Sequence, residues 1–235
     1  METLWLTIGT LGFAAATLYF LSLMSGAPEG SRHFFIIMAV ITGVAAFFYL
    51  TMATGATSSL VEGRIFYWGR YLDWVITTPL LLLVLALLAL ANWRDNVVLI
   101  AGLIALDVFA VLTGLQAGSS LTAFGKGFWF VVSTVALIAV LYLIYARLFA
   151  EAARRPRAVQ STFRTLALLT IVVWSCYPVV WLLGNAGFGA ANSTVEVFLI
   201  LILDFLATIG FGFLLLTNRQ ALGEAAGPVR TGRVR

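Results

Sequence analysis

Charge is what this sequence has least of. Only 10% of its 235 residues are charged, 62% are hydrophobic, and the mean hydropathy is +1.03. A soluble domain of this length carries about 25% charged residues. The shortage of charge therefore excludes an ordinary soluble protein and indicates an integral membrane protein.

Cysteine and lysine are also nearly absent, each occurring once, as Cys176 and Lys126. A single cysteine cannot form an internal disulfide. Because Cys176 lies in an apolar run, we interpret it as a small packing residue. We expect no bound metal.

Long apolar runs are what the sequence has instead. A helix needs about 20 apolar residues to cross a bilayer, whereas a β-barrel would show short alternating segments. The runs are continuous, so they predict an all-α bundle of seven transmembrane helices forming one domain over residues 1–235. They are Leu4 to Ser25, Phe34 to Thr54, Tyr67 to Ala91, Val97 to Gln116, Phe128 to Phe149, Leu166 to Leu183 and Val195 to Thr217.

The loops and their cations predict the topology. Most connections are short, so neighbouring helices should run antiparallel. The first run lacks the flanks of a signal peptide and should remain as helix one. All but three of the 14 cations lie in alternate loops and the C-terminal tail, the exceptions being Arg64, Arg70 and Lys126. Because Lys and Arg collect on the cytoplasmic side, we expect an outer N-terminus and a cytoplasmic C-terminus. The basic pI of 9.6 then needs no nucleic-acid partner.

Three aspartates, Asp73, Asp107 and Asp204, fall inside the apolar runs. A carboxylate at mid-bilayer costs on the order of 2.5 to 3.5 kcal/mol, so such residues face the bundle interior and mark proton, ion or ligand sites. The alternative is a buried aspartate that only joins two helices, and for Asp107 both interpretations stay open.

Polar and aromatic stripes surround these aspartates. In "GRYLDWVITTPLLLL", Arg70, Asp73 and Thr77 share one helix face, while Pro79 should bend the helix beside them. In "WSCYPVVW", the large rings at Trp174, Tyr177 and Trp181 also share one face. They could pack simply against neighbours or hold a long, flat, apolar ligand.

Three stretches resemble, in order, the third, sixth and seventh helices of the microbial (type 1) rhodopsins, and within them the bacteriorhodopsin-like proteins. They are "RYLDWVITTPLLLL", "WSCYPVVWLLG" and "VEVFLILILDFLATIGFGFLLL". The resemblance covers all seven runs. It implies a multi-pass protein of the cell membrane, folded around all-trans retinal that a helix-seven lysine holds as a protonated Schiff base. Light isomerises that retinal, and a proton passes to a nearby aspartate.

The resemblance assigns roles to residues of this chain. Asp73 matches the primary counterion and proton acceptor, and Asp204 the second counterion. Arg70 matches the cation between this pair and the outer surface, and Thr77 the hydroxyl bonded to the acceptor. The other matches hold the second counterion (Tyr49, Tyr177), line the retinal pocket (Trp74, Thr78, Asp107, Gly114, Trp174, Trp181) or form half of the outer proton-release pair (Glu196).

Three positions depart from the family. Val84 stands where the cytoplasmic proton donor is expected, and Ala186 stands where the partner glutamate of the release pair is expected. Thr208 stands where the retinal-bearing lysine is expected. A Schiff base requires a primary amine, and Lys126 falls at the outer end of helix five. The sequence therefore predicts that retinal is held non-covalently or is absent.

Three hypotheses of function follow. The first is a light-driven proton pump in a lysine-less form, unable to pump as written. The second is a sensory photoreceptor with a membrane transducer, since Val84 withholds the proton donor. The third is a retinal-free helical scaffold. None is an enzyme, and besides membrane lipids the resemblance implies a homo-oligomer, often a trimer.

Overall fold

Seven membrane-length helices dominate the chain, and the all-α seven-helix prediction is confirmed. The computed structural model describes residues 1–226; the tail cations Arg230, Arg233 and Arg235, used above to predict topology, lie outside the described residues. A short helix, α8, follows the seventh span. The helices are α1 (Glu2–Gly26), α2 (Arg32–Ala53), α3 (Gly69–Ala89), α4 (Trp93–Ser119), α5 (Ala123–Ala152), α6 (Arg157–Leu183), α7 (Ser193–Thr217) and α8 (Arg219–Ala226).

Several helices extend beyond the apolar runs that predicted them. The sixth begins at Arg157 and not near residue 166, and the fifth begins at Ala123 and ends at Ala152. Helical structure continues into the polar interface, where charged side chains are solvated, so hydropathy alone underestimates helix length. Side-chain caps mark several of the starts, among them those of α5 and α7. Thr122 accepts a hydrogen bond from the Gly125 N–H at 3.1 Å, and Asn192 accepts one from the Val195 N–H at 3.0 Å.

A small β-hairpin between α2 and α3 was not predicted. Strand β1 (Ser59–Val61) pairs antiparallel with β2 (Arg64–Phe66), and Glu62 and Gly63 form the turn. Both turn residues have positive φ, 51° and 78°. This conformation is typical of a tight two-residue hairpin turn and favours glycine at the second position.

Two spanning helices contain a wider π-helical turn. These turns lie at Ile144–Leu148 in α5 and at Phe205–Gly210 in α7. Such turns occur often at functional sites, because the local widening re-aims side chains. The second turn contains Thr208, so the residue that draws attention in the sequence lies in an irregular part of its helix.

The interior is built from two apolar clusters. The larger one includes Phe20, Phe34, Leu82 and Phe211, and the smaller includes Phe13 and Tyr49. Helix α3 lies centrally and packs against α2, α4 and α6. Gly9 permits the close approach of α1 to α2, because a Cβ there would lie 2.1 Å from the Tyr49 ring. Tyr49 is thereby held deep in the bundle.

Two arginines fasten α8 against the bundle. Arg155 donates to the backbone carbonyls of Leu88 at 3.2 Å and Ala225 at 3.3 Å. Arg219 donates to the carbonyl of Leu23 at 3.1 Å and lies over the Phe35 ring at 5.2 Å. Carbonyls at helix ends lack partners within their own helix, so these guanidinium groups satisfy them.

Candidate functional site

A cavity of about 130 Å³ lies within the bundle, and both apolar clusters contribute to its walls. The structure brings thirteen of the residues singled out in the sequence to this cavity, whereas Tyr49 and Val84 are not part of its lining. The thirteen are Arg70, Asp73, Trp74, Thr77, Thr78, Asp107, Gly114, Trp174, Tyr177, Trp181, Glu196, Asp204 and Thr208.

Asp204 accepts more side-chain hydrogen bonds than any other carboxylate of the described site, so protein groups take the place of water around it. Tyr49 of α2 donates to its Oδ2 at 2.6 Å. Trp74 of α3 and Tyr177 of α6 donate to its Oδ1 at 3.1 Å and 2.7 Å. The side chain is almost fully buried. Three donors from three helices offset much of the cost of burying this charge.

Asp73 is equally buried but has no comparable set of donors. Among residues 1–226 no hydrogen-bond partner reaches its Oδ1 atom, and its exposed fraction is 2%. The Thr77 hydroxyl, which the resemblance places beside this carboxylate, donates to the backbone carbonyl of Asp73 at 2.9 Å. Threonine in a helix commonly bonds the carbonyl four residues earlier, and the bond from Thr77 to the carboxylate stays a prediction.

Arg70 pairs with Glu196 and not with either aspartate. Its Nη1 lies 3.1 Å from Glu196 Oε1, and within residues 1–226 neither Asp73 nor Asp204 forms an ion pair with it. Its Nε has no partner. The resemblance placed Arg70 between the aspartate pair and the outer surface, and α7 presents Glu196 to its guanidinium.

The end of the cavity beside Arg70 contains a further contact that sequence reasoning missed. Arg70 lies over the ring of Tyr67, 5.8 Å from its centroid, and the Tyr67 hydroxyl donates to Glu2 Oε2 at 2.6 Å. Burial, followed by the hydrogen bond to Glu2, raises the pKa of the Tyr67 hydroxyl above its ordinary value. Nothing in the spacing of Glu2 and Tyr67 indicates this contact, because they lie 65 residues apart.

Asp107 joins two helices. The Thr78 hydroxyl of α3 lies 2.6 Å from Asp107 Oδ2 of α4 and 2.7 Å from the Trp74 carbonyl. This contact is the one expected of a buried aspartate that fastens helices. Since Asp107 also lines the cavity, the two interpretations of this residue are compatible.

Thr208 presents an alcohol to the cavity. Its hydroxyl donates to the Asp204 backbone carbonyl at 2.6 Å, and the residue is 7% exposed. A threonine hydroxyl bonded in this way stabilises its own helix turn. It offers no amine to a carbonyl compound.

Aromatic rings form the apolar walls. Trp174 is buried, and Trp181 stacks on Phe130 of α5 with centroids 4.6 Å apart and planes 20° from parallel. Trp74 meets Tyr177 edge-on at 5.0 Å. Phe130 was missed in the sequence, where it is one of several aromatics in "GFWFVV". The rings leave a flat, apolar space that suits an elongated ligand.

Val84 and Lys126 are not among the residues that line the cavity. Val84 is fully buried in the larger apolar cluster. Lys126, near the start of α5, pairs with Glu62 in the hairpin turn. Within the described residues no three His, Cys, Asp or Glu side chains come together as a metal site. The site can hold a proton or a cation, because carboxylates outnumber the single guanidinium.

Comparison with known proteins gives consistent matches over nearly the whole chain. A family model described as bacteriorhodopsin-like protein matches residues 1–222. Archaerhodopsin-3 of Halorubrum sodomense is 39% identical over 232 residues, which cover 97% of this chain and 88% of that protein. The bacteriorhodopsin of Haloterrigena sp. (strain arg-4) is 43% identical over 233 residues, covering 97% and 92%. Among solved structures, the thermophilic rhodopsin from Rubrobacter xylanophilus has 59% identity and a TM-score of 0.96, covering 97% of this chain and all of that one.

Proposed function

Since this chain belongs to the bacteriorhodopsin-like protein family, we propose that it is a retinal-protein fold of light-driven proton pump type in which Thr208 occupies the position of the retinal-bearing lysine. In this proposal the protein neither attaches retinal covalently nor pumps protons as written. It acts in the cell membrane among lipids and catalyses no enzymatic reaction.

One observation carries the proposal: the cavity contains the counterion residues but no amine. Asp73 and Asp204 both line it, and Thr208 lines it beside them. The one lysine of the sequence, Lys126, pairs with Glu62 at the outer end of α5. Because a Schiff base forms only with a primary amine, retinal cannot be attached within the cavity.

The remaining wall fits a retinal molecule that is not covalently bound. Trp174, Trp181 and Phe130 supply flat apolar surfaces, and a polyene is flat, long and apolar. Retinal would supply the absorption of visible or near-ultraviolet light, while these side chains would orient it and exclude water. The proposal assigns no proton transfer to retinal held in this way.

A sensory photoreceptor is the second candidate, and Val84 favours it. Val84 has no exposed surface and no titratable group, and it lies among leucines in the cytoplasmic half of α3. A pump needs a group that returns a proton from the cytoplasm to the Schiff base. A sensor benefits when this proton returns slowly, because the light-activated state then lasts longer. A membrane transducer would be its partner, and either form could assemble as a trimer like many family members. If no retinal binds, the hypothesis of a retinal-free helical scaffold is favoured.

Absorption spectra with added all-trans retinal test the proposal. We expect no visible Schiff-base band from the unmodified protein, and a visible band that hydroxylamine bleaches from Thr208→Lys. Thr208→Met is the matched control, because methionine approaches lysine in length but has no amine. A visible band from the unmodified protein, or none from correctly folded Thr208→Lys, would refute the proposal.

Illuminated vesicles containing the Thr208→Lys protein separate pump from sensor. Pumping predicts a light-dependent pH change whose direction follows the orientation of the protein and which a protonophore abolishes. Adding Val84→Asp should speed each turnover, because a carboxyl replaces an apolar group at the expected donor position. A visible pigment that produces no pH change, with or without Val84→Asp, would favour the sensory candidate.

A further inference from the structure

The cavity has an excess of carboxyl groups over cations. Of its charged lining residues, one is a guanidinium and four are carboxyls: Arg70 against Asp73, Asp107, Glu196 and Asp204. Like charges in a poorly solvated space repel strongly, because the low dielectric screens them little. A cation inside this cavity would therefore be stabilised.

Three of the four carboxyls already have partners. Glu196 pairs with Arg70 at 3.1 Å, Asp204 accepts from two tyrosines and a tryptophan, and Asp107 lies 2.6 Å from the Thr78 hydroxyl. Asp73 is the exception, since its Oδ1 is buried without a partner. A buried acceptor of this kind costs free energy unless a donor reaches it.

The surroundings of Asp73 restrict what that donor can be. The cavity also contains the rings of Trp174 and Trp181 and the side chains of Leu137 and Val111. A metal ion is disfavoured here, because within the described residues no three His, Cys, Asp or Glu side chains converge as a metal site. A ligand that is apolar along its length and has a cationic donor at one end matches both parts of the cavity.

We infer that the cavity binds an elongated, apolar primary amine, whose ammonium group donates to Asp73 while its body lies between the aromatic walls. This inference rests on the proposed function, because Thr208 in place of a lysine is what leaves the aspartates without a cation. Binding is non-covalent: the alcohol of Thr208 forms no bond with the amine. The ligand supplies the charge that the polypeptide does not.

A pair of probes that differ in one group tests the inference. Retinylamine and retinol share the same polyene, but the first ends in an ammonium group and the second in a neutral hydroxyl. Their dissociation constants are measured by quenching of tryptophan fluorescence in zwitterionic nanodiscs, with empty nanodiscs subtracted. We expect retinylamine to bind about tenfold or more tightly than retinol, because a charge-assisted hydrogen bond to a buried carboxylate replaces a neutral one.

Matched variants test whether Asp73 causes the tighter binding of retinylamine. Asp73→Asn retains the shape and removes the charge, so the two probes should then bind within about twofold of each other. Glu62→Gln makes the same chemical change outside the cavity, at the hairpin, and should leave the preference intact. Circular dichroism and size-exclusion profiles confirm folding; if Asp73→Asn does not fold, the ratio of the two probes on the unmodified protein decides alone.

The outcomes separate this inference from the proposed function. Equal binding of both probes, or a preference that survives in Asp73→Asn, overturns the amine inference and leaves the retinal-type cavity in place. Binding of neither probe, with a pigment forming in Thr208→Lys, also overturns the inference but supports the ancestry. Binding of neither probe and no pigment in Thr208→Lys overturns both.

Discussion

Asp73 and Asp204 look alike in the sequence, each a lone carboxylate in an apolar run, but their surroundings differ. Asp204 accepts hydrogen bonds from three side chains on three helices, whereas Asp73 has an oxygen without a partner. The hydrogen-bond network therefore fixes the position of Asp204 and leaves Asp73 available to a ligand. This asymmetry is the basis of the amine inference.

The donors to Asp204 should contribute measurably to stability. Replacing Tyr177 by Phe keeps the ring and removes one of the three hydrogen bonds to a buried carboxylate. We expect the free energy of unfolding to fall by about 1 to 2 kcal/mol, measured by denaturant titration in mixed micelles. Tyr142→Phe is the control, because Tyr142 is 65% exposed; equal losses in the two variants would contradict the role assigned to Tyr177.

Single residues also show the limit of sequence reasoning. Motif spacing predicts that Asp204 and Thr208 share one helix face, whereas the grouping of both with Asp73 in one cavity could be predicted only from the resemblance to a known family. The ion-pair partner of Arg70 could not be predicted, because it depends on which long side chain reaches the guanidinium in the folded structure.

At the scale of elements, hydropathy located all seven spans but missed the hairpin and the π-helical turns. Apolar runs report burial in lipid, so they are visible without knowledge of packing. The hairpin strands are only three residues long, too short for an alternating pattern. The turn at Phe205–Gly210 differs from an α-helix only in its hydrogen bonding, which composition does not report.

The contact of Tyr67 with Glu2 joins the start of α1 to the hairpin side of α3, and its strength should depend on pH. The raised pKa of Tyr67 means that its stabilisation is complete below pH about 10 and is lost as the pH rises further, since the unfolded chain releases the proton first. The stability difference between the unmodified protein and Tyr67→Phe should therefore stay constant up to about pH 9 and shrink between about pH 10 and about pH 12. A difference that stays constant over this range would show that the hydroxyl does not act as described.

Helix α8 depends on Arg155 for one of its attachments. Arg155→Gln removes the donors to Leu88 and Ala225, so we expect faster hydrogen exchange of amides in residues 219–226. The neighbouring Arg154→Gln is a close control, because Arg154 is exposed and pairs only with Glu151 in the next turn. Unchanged exchange in Arg155→Gln would mean that buried Leu222 and Arg219 alone hold the helix.

At the scale of the whole molecule, the distribution of cations predicts an outer N-terminus. A test uses Cys176→Ser as background and introduces one cysteine at Leu60 in the hairpin or at Arg154 beyond α5, both exposed. In intact cells a membrane-impermeant maleimide should label Leu60→Cys, whereas Arg154→Cys should react only after permeabilisation. The reverse pattern would invert the topology.

The fold and family could be read from the chain at this scale, but the contents of the cavity could not. Seven runs and three helix motifs predict the bundle, and the comparisons establish the family. Which ligand occupies a cavity without an anchoring amine depends on the free energy of non-covalent binding. That free energy depends on the unpartnered Asp73 oxygen and on the positions of the aromatic rings, and neither can be predicted from the sequence.

Lys126 has a practical consequence for labelling the protein. It is the one lysine of the sequence, and it lies beside Glu62 at the end of α5 opposite to α8. Apart from the N-terminal amine, a succinimidyl dye therefore has a single attachment point, one helical turn before Phe130 of the cavity wall. One fluorophore at a known site would make the protein a distance reporter, in which energy transfer from the cavity tryptophans could follow ligand entry without any engineered residue.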